Sequence, residues 1–251
     1  MPGVRPCRPQ CRAGRGAERV EAQAGRPVPG ALTLYWAPTS PFVRLVMAAA
    51  HELGVAGRFR LIEATVDNIV DVVSPVNPLA QIPTLVLEDG AAIYDSAMIV
   101  AWLDARYGGA LAEPLGGRGA DRWRIATRTA AATGLMDAAV AERHLALQPD
   151  GHRPDGFIER LRARRIRVLG HLAGGVAPAD APVTTDALAA ACALGYLDFR
   201  FPSEDWRGAH PALADWFAAF GRRPSMQATA PDAPDAPPAP TAASAAAKAP
   251  G

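Results

Sequence analysis

Between residues 32 and 108, hydrophobic and polar positions follow two patterns, one typical of strands and one typical of helices. Short apolar runs bounded by turn residues predict strands over 32–36, 59–64, 82–87 and 91–94. Apolar residues at helical spacing predict helices over 42–53 and 95–107, and 66–74 reads as a short helix or loop. An Asp-Gly turn at Asp89-Gly90 joins the last two strands as a hairpin. The predicted order is βαβαββα.

This order requires a mixed sheet covered by helices. A strand, helix and strand in succession need a parallel crossover, whereas the hairpin adds an antiparallel edge. Beyond a Gly-rich stretch that contains Pro114, strand signals stop. Helices are predicted over 121–147, 154–172, 187–197 and 211–221. The chain therefore reads as an α/β domain followed by an all-α domain.

The two ends of the chain differ in composition from the two predicted domains. Residues 1–30 are rich in Arg, Pro and Gly, and 229–251 are an Ala/Pro tract, so both are predicted to be disordered. The predicted boundaries are a disordered extension at 1–30, the α/β domain at 31–108, a linker at 109–120, the all-α domain at 121–228 and the disordered tail at 229–251.

Charge and cysteine content narrow the class of protein. The 251 residues are 49% hydrophobic and carry a formal charge of +1, which argues against a nucleic-acid or membrane-surface role. No run of about 18 uncharged apolar residues predicts a membrane span. Cys7, Cys11 and Cys192 form neither a disulfide framework nor a metal-ligand set. We therefore expect a metal-free protein of the reducing cytoplasm.

The turn between the first strand and the first helix is the main candidate for chemistry. It reads Pro38-Thr39-Ser40-Pro41, so a serine at the helix N-cap precedes a proline at the first helical position. A hydroxyl beside a helix N-terminus favours an anion, here a thiolate or carboxylate from outside the chain. The turn has no cysteine, which excludes thiol–disulfide exchange by a protein thiolate there.

Five motifs in order resemble the glutathione S-transferase family, whose thioredoxin-like N-terminal domain precedes an all-α domain. The resemblance covers about residues 31–229. The motifs are T-S-P-F-V-R at 39–44, N-P-L-A-Q-I-P-T-L at 77–85, Y-D-S-A-M-I-V-A-W-L at 94–103, A-L-G-Y-L-D-F-R at 193–200 and R-R-P-S-M-Q-A-T at 222–229. This fold hosts several chemistries, so the motifs are specific for the fold and less so for activity.

The resemblance implies roles for particular residues. The hydroxyl of Ser40, or of its neighbour Thr39, would donate to the glutathione sulfur. Ile82, before a cis Pro83, would offer its backbone to the cysteinyl part. Asp95 and Ser96 would hold the glutamyl part, whereas Gln81 replaces a basic residue that many relatives have near the glycyl end. In the helical part, Asp198 and Arg200 read as a structural ion pair or capping set.

The implied function is a cytoplasmic glutathione transferase. It would use glutathione as co-substrate, take a hydrophobic electrophile against the helical domain and form a homodimer. Two alternatives remain open at this point. One is another glutathione-dependent enzyme, an isomerase, dehalogenase or peroxidase, and the other is a non-catalytic family member that acts as a binding or regulatory partner.

Overall fold

A computed structural model describes residues 32–108, 115–148 and 156–231. The N-terminal part contains strands β1 (Leu32–Trp36), β2 (Phe59–Glu63), β3 (Thr84–Val86) and β4 (Ala92–Tyr94), with helices α1 (Pro41–Glu52), α2 (Ile69–Val73) and α3 (Ser96–Tyr107). The described remainder contains helices α4 (Gly119–Ala146), α5 (Phe157–Ala173), α6 (Thr185–Arg200), α7 (Trp206–Ala209), α8 (Pro211–Phe220) and α9 (Pro224–Ala228). The predicted fold class, a thioredoxin-like sheet with helices followed by a helical region, is confirmed.

The sheet has the order β2-β1-β3-β4. β1 runs parallel to β2 and antiparallel to β3, and β3 pairs with β4 as the predicted hairpin. In this register Tyr35 lies opposite Thr84, which lies opposite Tyr94. The end of β1, the start of β3 and the end of β4 therefore meet at one edge of the sheet.

Most element boundaries agree with prediction to within a few residues, and the differences have local causes. Both hairpin strands are shorter than predicted: β3 begins at Thr84, because residues 82–83 precede the ladder, and β4 begins at Ala92. Two short helices, α7 and α9, were not predicted, since a single turn carries no apolar periodicity. Asp205 caps α7 by accepting from the Gly208 N–H over 2.8 Å, and Pro224 begins α9. The predicted disordered segment 1–30 and residues 232–251 of the predicted tail lie outside the described residues.

Helix α1 connects the sheet to the helical region. Its residues Leu45, Val46, Ala48, Ala49 and Ala50 are fully buried, and it packs against α3 on one side and α6 and α9 on the other. At its end, Glu52 accepts hydrogen bonds from Arg223 over 2.9 and 3.0 Å and from the Ser225 hydroxyl over 2.5 Å. This cluster ties the last described helix to the first.

The predicted pairing of Asp198 with Arg200 is wrong. The carboxylate of Asp198 instead accepts from the Trp206 ring N–H over 2.9 Å and forms an ion pair with Arg207. α7 brings both partners back to the end of α6, which the sequence pattern did not show. Within the described ranges, no helix combines the length and the apolar composition that a membrane crossing needs.

Candidate active site

Ser40 forms the turn that the sequence singled out. Its N–H donates to the Ala37 carbonyl over 3.2 Å, and its extended backbone lets its Oγ accept from the Val43 N–H over 3.3 Å. The side chain is thus the N-cap of α1, with Pro41 at the first helical position. Because Oγ acts here as an acceptor, the hydroxyl hydrogen of Ser40 remains available to donate to a ligand.

Thr39 lies on the same turn and lines the same small cavity as Ser40. The cavity has a volume of about 10 Å³, and Cys192 and Tyr196 of α6 form its opposite wall. Both hydroxyl side chains are half-buried. The geometry therefore brings Thr39 and Ser40 together and keeps both as candidate donors.

Ile82 and Pro83 lie immediately before β3, which pairs with the strand that leads into this turn. The Ile82–Pro83 peptide bond is cis, as the family resemblance implied. Neither the N–H nor the C=O of Ile82 is hydrogen-bonded among the described residues. A free donor and a free acceptor on one residue are what a peptide ligand needs to pair with the backbone.

Asn77 holds the loop that carries Ile82, and its role was missed from the sequence. Its buried amide donates to the Thr84 hydroxyl over 2.9 Å and to the Gln81 carbonyl over 3.2 Å. Its oxygen accepts from the Leu79 N–H over 3.0 Å. An Asn-Pro pair signals a turn, but only the folded loop shows that the Asn77 amide spans it. Gln81 itself is exposed.

Asp95 and Ser96 begin α3 at the same sheet edge. Asp95 adopts a positive φ of 71°, and its Oδ1 accepts from the N–H groups of Ala97 and Met98 over 2.8 and 3.2 Å. These two helix donors are therefore already used by the cap. Ser96 is only 4% exposed, and neither its N–H nor its hydroxyl has a hydrogen-bond partner among the described residues. Both Ser96 groups remain for a ligand carboxylate.

Asp137 of α4 is a second acid near this helix start, and the sequence pattern did not reveal it. Partial desolvation raises the pKa of its carboxyl, and the charge of Asp95 raises it further, whereas Arg164 opposes the shift. A carboxyl group whose pKa is raised by a neighbouring negative charge lies where a cation is favoured. The chain separation of 42 positions between them explains why only the fold brings them together.

The helical wall of the cavity contributes a cysteine and a tyrosine. Cys192 is fully buried, and burial raises the pKa of its thiol to about 11, although the charge of Arg44 acts against that shift. A thiol with this pKa is a poor nucleophile at neutral pH. Burial also raises the pKa of the Tyr196 phenol, against the lowering effects of Arg200 and Arg143.

Arg44 lies between the Ser40 turn and α6. Its guanidinium donates to the Met226 carbonyl over 3.2 Å and approaches Gly195 so closely that a side chain at 195 would collide with it. The absence of a side chain at Gly195 therefore leaves room for the Arg44 guanidinium in its observed place. Among the described residues, no group of three or more His, Cys, Asp or Glu side chains could hold a metal ion.

Comparison with known proteins gives consistent matches. Residues 34–111 match the family model for the glutathione S-transferase N-terminal domain. The chain is 30% identical over 200 residues to the uncharacterized GST-like protein YibF of Escherichia coli (strain K12), covering 77% of this chain and 95% of that protein.

Solved structures agree with this match. A glutathione transferase family member from Pseudomonas fluorescens Pf-5 with bound glutathione is 38% identical, with a TM-score of 0.75, over 80% of this chain and 100% of that chain. The structure of a Pseudomonas family member with bound S-(propanoic acid)-glutathione, also 38% identical, has a TM-score of 0.71 over the same shares.

Proposed function

Because this chain belongs to the glutathione S-transferase family, we propose that it is a glutathione transferase that activates the glutathione thiol for attack on an electrophile. One observation carries the proposal. The Ser40 turn, Ile82 and the Asp95-Ser96 helix start meet at one edge of the sheet, and each presents hydrogen-bonding groups that the fold itself does not use.

We assign each part of the glutathione tripeptide to one of these three segments. The N–H and C=O of Ile82 pair with the backbone of the cysteinyl part, next to Pro83. The N–H and hydroxyl of Ser96 receive the glutamyl carboxylate at the N-terminus of α3. Asp95 accepts from the glutamyl ammonium, and Asp137 adds a second negative charge beside it.

Ser40 then acts on the sulfur. Its hydroxyl donates to the thiolate, which stabilises the charged form and lowers the thiol pKa. Lowering this pKa from about 8.5 by about two units requires about 2.7 kcal/mol of differential stabilisation, within reach of a hydroxyl combined with a helix N-terminus. The thiol proton passes to solvent. The thiolate attacks the electrophilic carbon, a carbon–sulfur bond forms, and the leaving group departs with its bonding electrons.

The second substrate lies against the helical region, with an apolar body beside Pro38, Pro41 and α6. A thioether conjugate of glutathione bound to a Pseudomonas relative supports conjugation as the reaction. An isomerase, dehalogenase or peroxidase on the same site would share the glutathione contacts and differ in the product. A non-catalytic member would retain glutathione and turn over no electrophile.

The proposal is tested with Ser40→Ala and Thr39→Ala, assayed for conjugation of glutathione to 1-chloro-2,4-dinitrobenzene. We expect Ser40→Ala to lower kcat/KM by roughly 10²-fold. Ser74→Ala, which removes an exposed hydroxyl at the end of α2, serves as the matched control and should not change the rate. If neither active-site variant changes the rate while both remain folded, thiol activation by this turn is refuted.

We also propose that the protein is a homodimer in the cytoplasm. Met98 and Tyr94, which adjoin the Asp95 turn, are 56% and 37% exposed, and Leu79 is 60% exposed. Apolar side chains exposed on neighbouring segments support an interface between subunits. Sedimentation equilibrium of the full chain measures its oligomeric state, and Met98→Asp should convert the dimer to the monomer.

The reaction also needs a supply of reduced glutathione, which the cytoplasm maintains.

A further inference from the structure

Arg44 is a cation at the wall of the cavity that contains Ser40. It lines this cavity together with Thr39, Ser40 and residues of α6. It follows Ser40 by one turn of α1, and its N–H donates to the Ser40 carbonyl over 3.0 Å. Four residues of helix advance about 6 Å along the axis, so the two side chains leave the helix close together. The proposed function assigns Ser40 to the glutathione sulfur and gives Arg44 no role.

The guanidinium of Arg44 is held in place on the helical side of the cavity. Its Nη2 donates to the Met226 carbonyl over 3.2 Å. Its Nη1 lies beside Gly195, where the absence of a side chain leaves room for it. Packing of α1 against α6 and α9 therefore determines where this positive charge lies. Because these contacts engage the guanidinium, Arg44 acts on a ligand at Ser40 through its charge and not through a contact.

The charge of Arg44 is not neutralised by an acid in the part of the chain that the structure describes. No ion pair there includes Arg44. Its Nε is buried and has no hydrogen-bond partner among the described residues. A half-buried cation without a counter-charge favours an anion that comes from outside the chain.

The titratable groups around the cavity do not supply that anion. Besides Arg44, the lining residues include Cys192 and Tyr196 and no carboxylate. Burial raises the pKa of the Cys192 thiol to about 11 despite the opposing charge of Arg44, and burial also raises the pKa of the Tyr196 phenol. Both groups are therefore neutral near neutral pH. In the proposed function, the glutathione thiolate is the anion that is brought to Ser40.

We propose that Arg44 stabilises the glutathione thiolate at Ser40 through its charge, without touching the sulfur. This inference rests on the proposed function and adds a second source of thiol activation to it. A charge acts over several ångströms where burial keeps the dielectric constant low. Nothing has to enter the cavity of about 10 Å³, because the field of Arg44 acts across it. Ser40 supplies the hydrogen bond and Arg44 the charge, so substitutions should separate the two contributions.

The thiol pKa of glutathione bound to the full chain measures the contribution of Arg44. It is followed by the ultraviolet absorbance of the thiolate during a pH titration of each complex. Arg44→Gln keeps a hydrogen-bond donor and removes the charge, so the bound thiol pKa should rise by about one unit. Arg44→Lys keeps the charge, so its bound thiol pKa should stay within about 0.3 of the wild-type value. The control Arg222→Gln removes an exposed arginine that also donates to a backbone carbonyl, over 3.3 Å, and should not change this pKa.

The wild-type complex and Ser40→Ala are titrated in parallel to separate this inference from the proposed function. A wild-type bound pKa equal to that of free glutathione would overturn both. If the wild-type pKa is low and Arg44→Gln raises it by less than about 0.3, the role of Arg44 is overturned, and thiol activation by Ser40 stands if Ser40→Ala raises it. Equal increases in Arg44→Gln and Arg44→Lys would mean that Arg44 only holds the turn in place, which also overturns the inference. Should Arg44→Gln not fold, Arg44→Met, which is uncharged and of similar length, replaces it with the same expected rise.

Discussion

The side-chain amide of Asn77 donates to the hydroxyl of Thr84 over 2.9 Å, and both groups are buried. This bond closes the loop before β3 and so determines where the backbone of Ile82 is presented. A ligand site made of main-chain atoms depends on such a support, because the backbone groups have no side chain to adjust their position.

Asn77→Ala should therefore affect both stability and binding. It leaves the Leu79 N–H and the Thr84 hydroxyl oxygen without the partner that Asn77 supplies, whereas the Gln81 carbonyl still accepts from the Thr84 hydroxyl over 2.7 Å. We expect the free energy of unfolding to fall by about 2 kcal/mol and glutathione binding to weaken. The matched control is Asn68→Ala, whose exposed amide oxygen accepts from the Thr65 N–H over 2.8 Å. Urea unfolding of both variants measures the change in the free energy of unfolding. Equal losses of stability in the two variants would refute the role given to Asn77.

Glu52 makes stability depend on acid pH. Burial would raise the pKa of its carboxyl, but hydrogen bonds from Arg223 and Ser225 and the charge of Arg223 outweigh burial and hold the pKa below its ordinary value of 4.5. The folded state then binds fewer protons than the unfolded state. The stabilisation is complete above the ordinary pKa and is lost as the pH falls through the lower folded-state pKa.

We expect Glu52→Gln to lower the free energy of unfolding by about 2 kcal/mol near neutral pH, because it leaves Arg223 partly buried without its charge partner. The difference from wild type should shrink as the pH falls below 4.5. Asp121→Asn breaks an exposed pair with Arg124 and should have little effect. Unfolding curves over a pH series measure all three proteins. A pH-independent difference for Glu52→Gln would contradict this assignment.

Cys192 should be inert in the folded protein. Its thiol is fully buried and its pKa is about 11, so very little thiolate forms near neutral pH. In a Cys7→Ser, Cys11→Ser background, a chromogenic disulfide reagent should not react until urea unfolds the chain. If Cys192 reacts as fast in the native protein as in the unfolded chain, the conclusion that its thiol is inert is wrong.

Asp95 should recognise the ammonium of glutathione. Asp95→Asn keeps an oxygen for the helix cap and suits the positive φ, but removes the charge. We expect the Kd for glutathione to rise about tenfold. The matched ligand is glutaryl-cysteinylglycine, which lacks the amino group and should bind wild type and variant equally. If the substitution weakens the binding of both ligands equally, Asp95 acts only as the N-cap of α3.

Local sequence patterns were sufficient to predict the strands and helices on which the candidate site residues lie. Ser40-Pro41 showed the start of α1, and Asp89-Gly90 showed the hairpin, because caps and tight turns depend on neighbouring residues. The resemblance supplied the cis bond before Pro83, which the structure confirms. Roles of the predicted site residues in binding remain predictions.

Contacts between distant segments could not be predicted in this way. The charge of Asp95 acts on Asp137, and Cys192 and Tyr196 line the cavity at Ser40, only because helices of the second region pack over the sheet edge. The Asp198–Arg200 prediction failed for the same reason, since α7 brings Arg207 to Asp198 from outside the local pattern. Side-chain pairing across helices depends on packing, which periodicity does not encode.

The pKa of the glutathione thiol bound to this protein tests the central claim most directly. It can be followed by the ultraviolet absorbance of the thiolate during a pH titration of the complex. We expect a bound pKa about two units below the free value of about 8.5 in wild type, and a return close to the free value in Ser40→Ala. A bound pKa that equals the free value in wild type, or that stays low in both Ser40→Ala and Thr39→Ala, would contradict it.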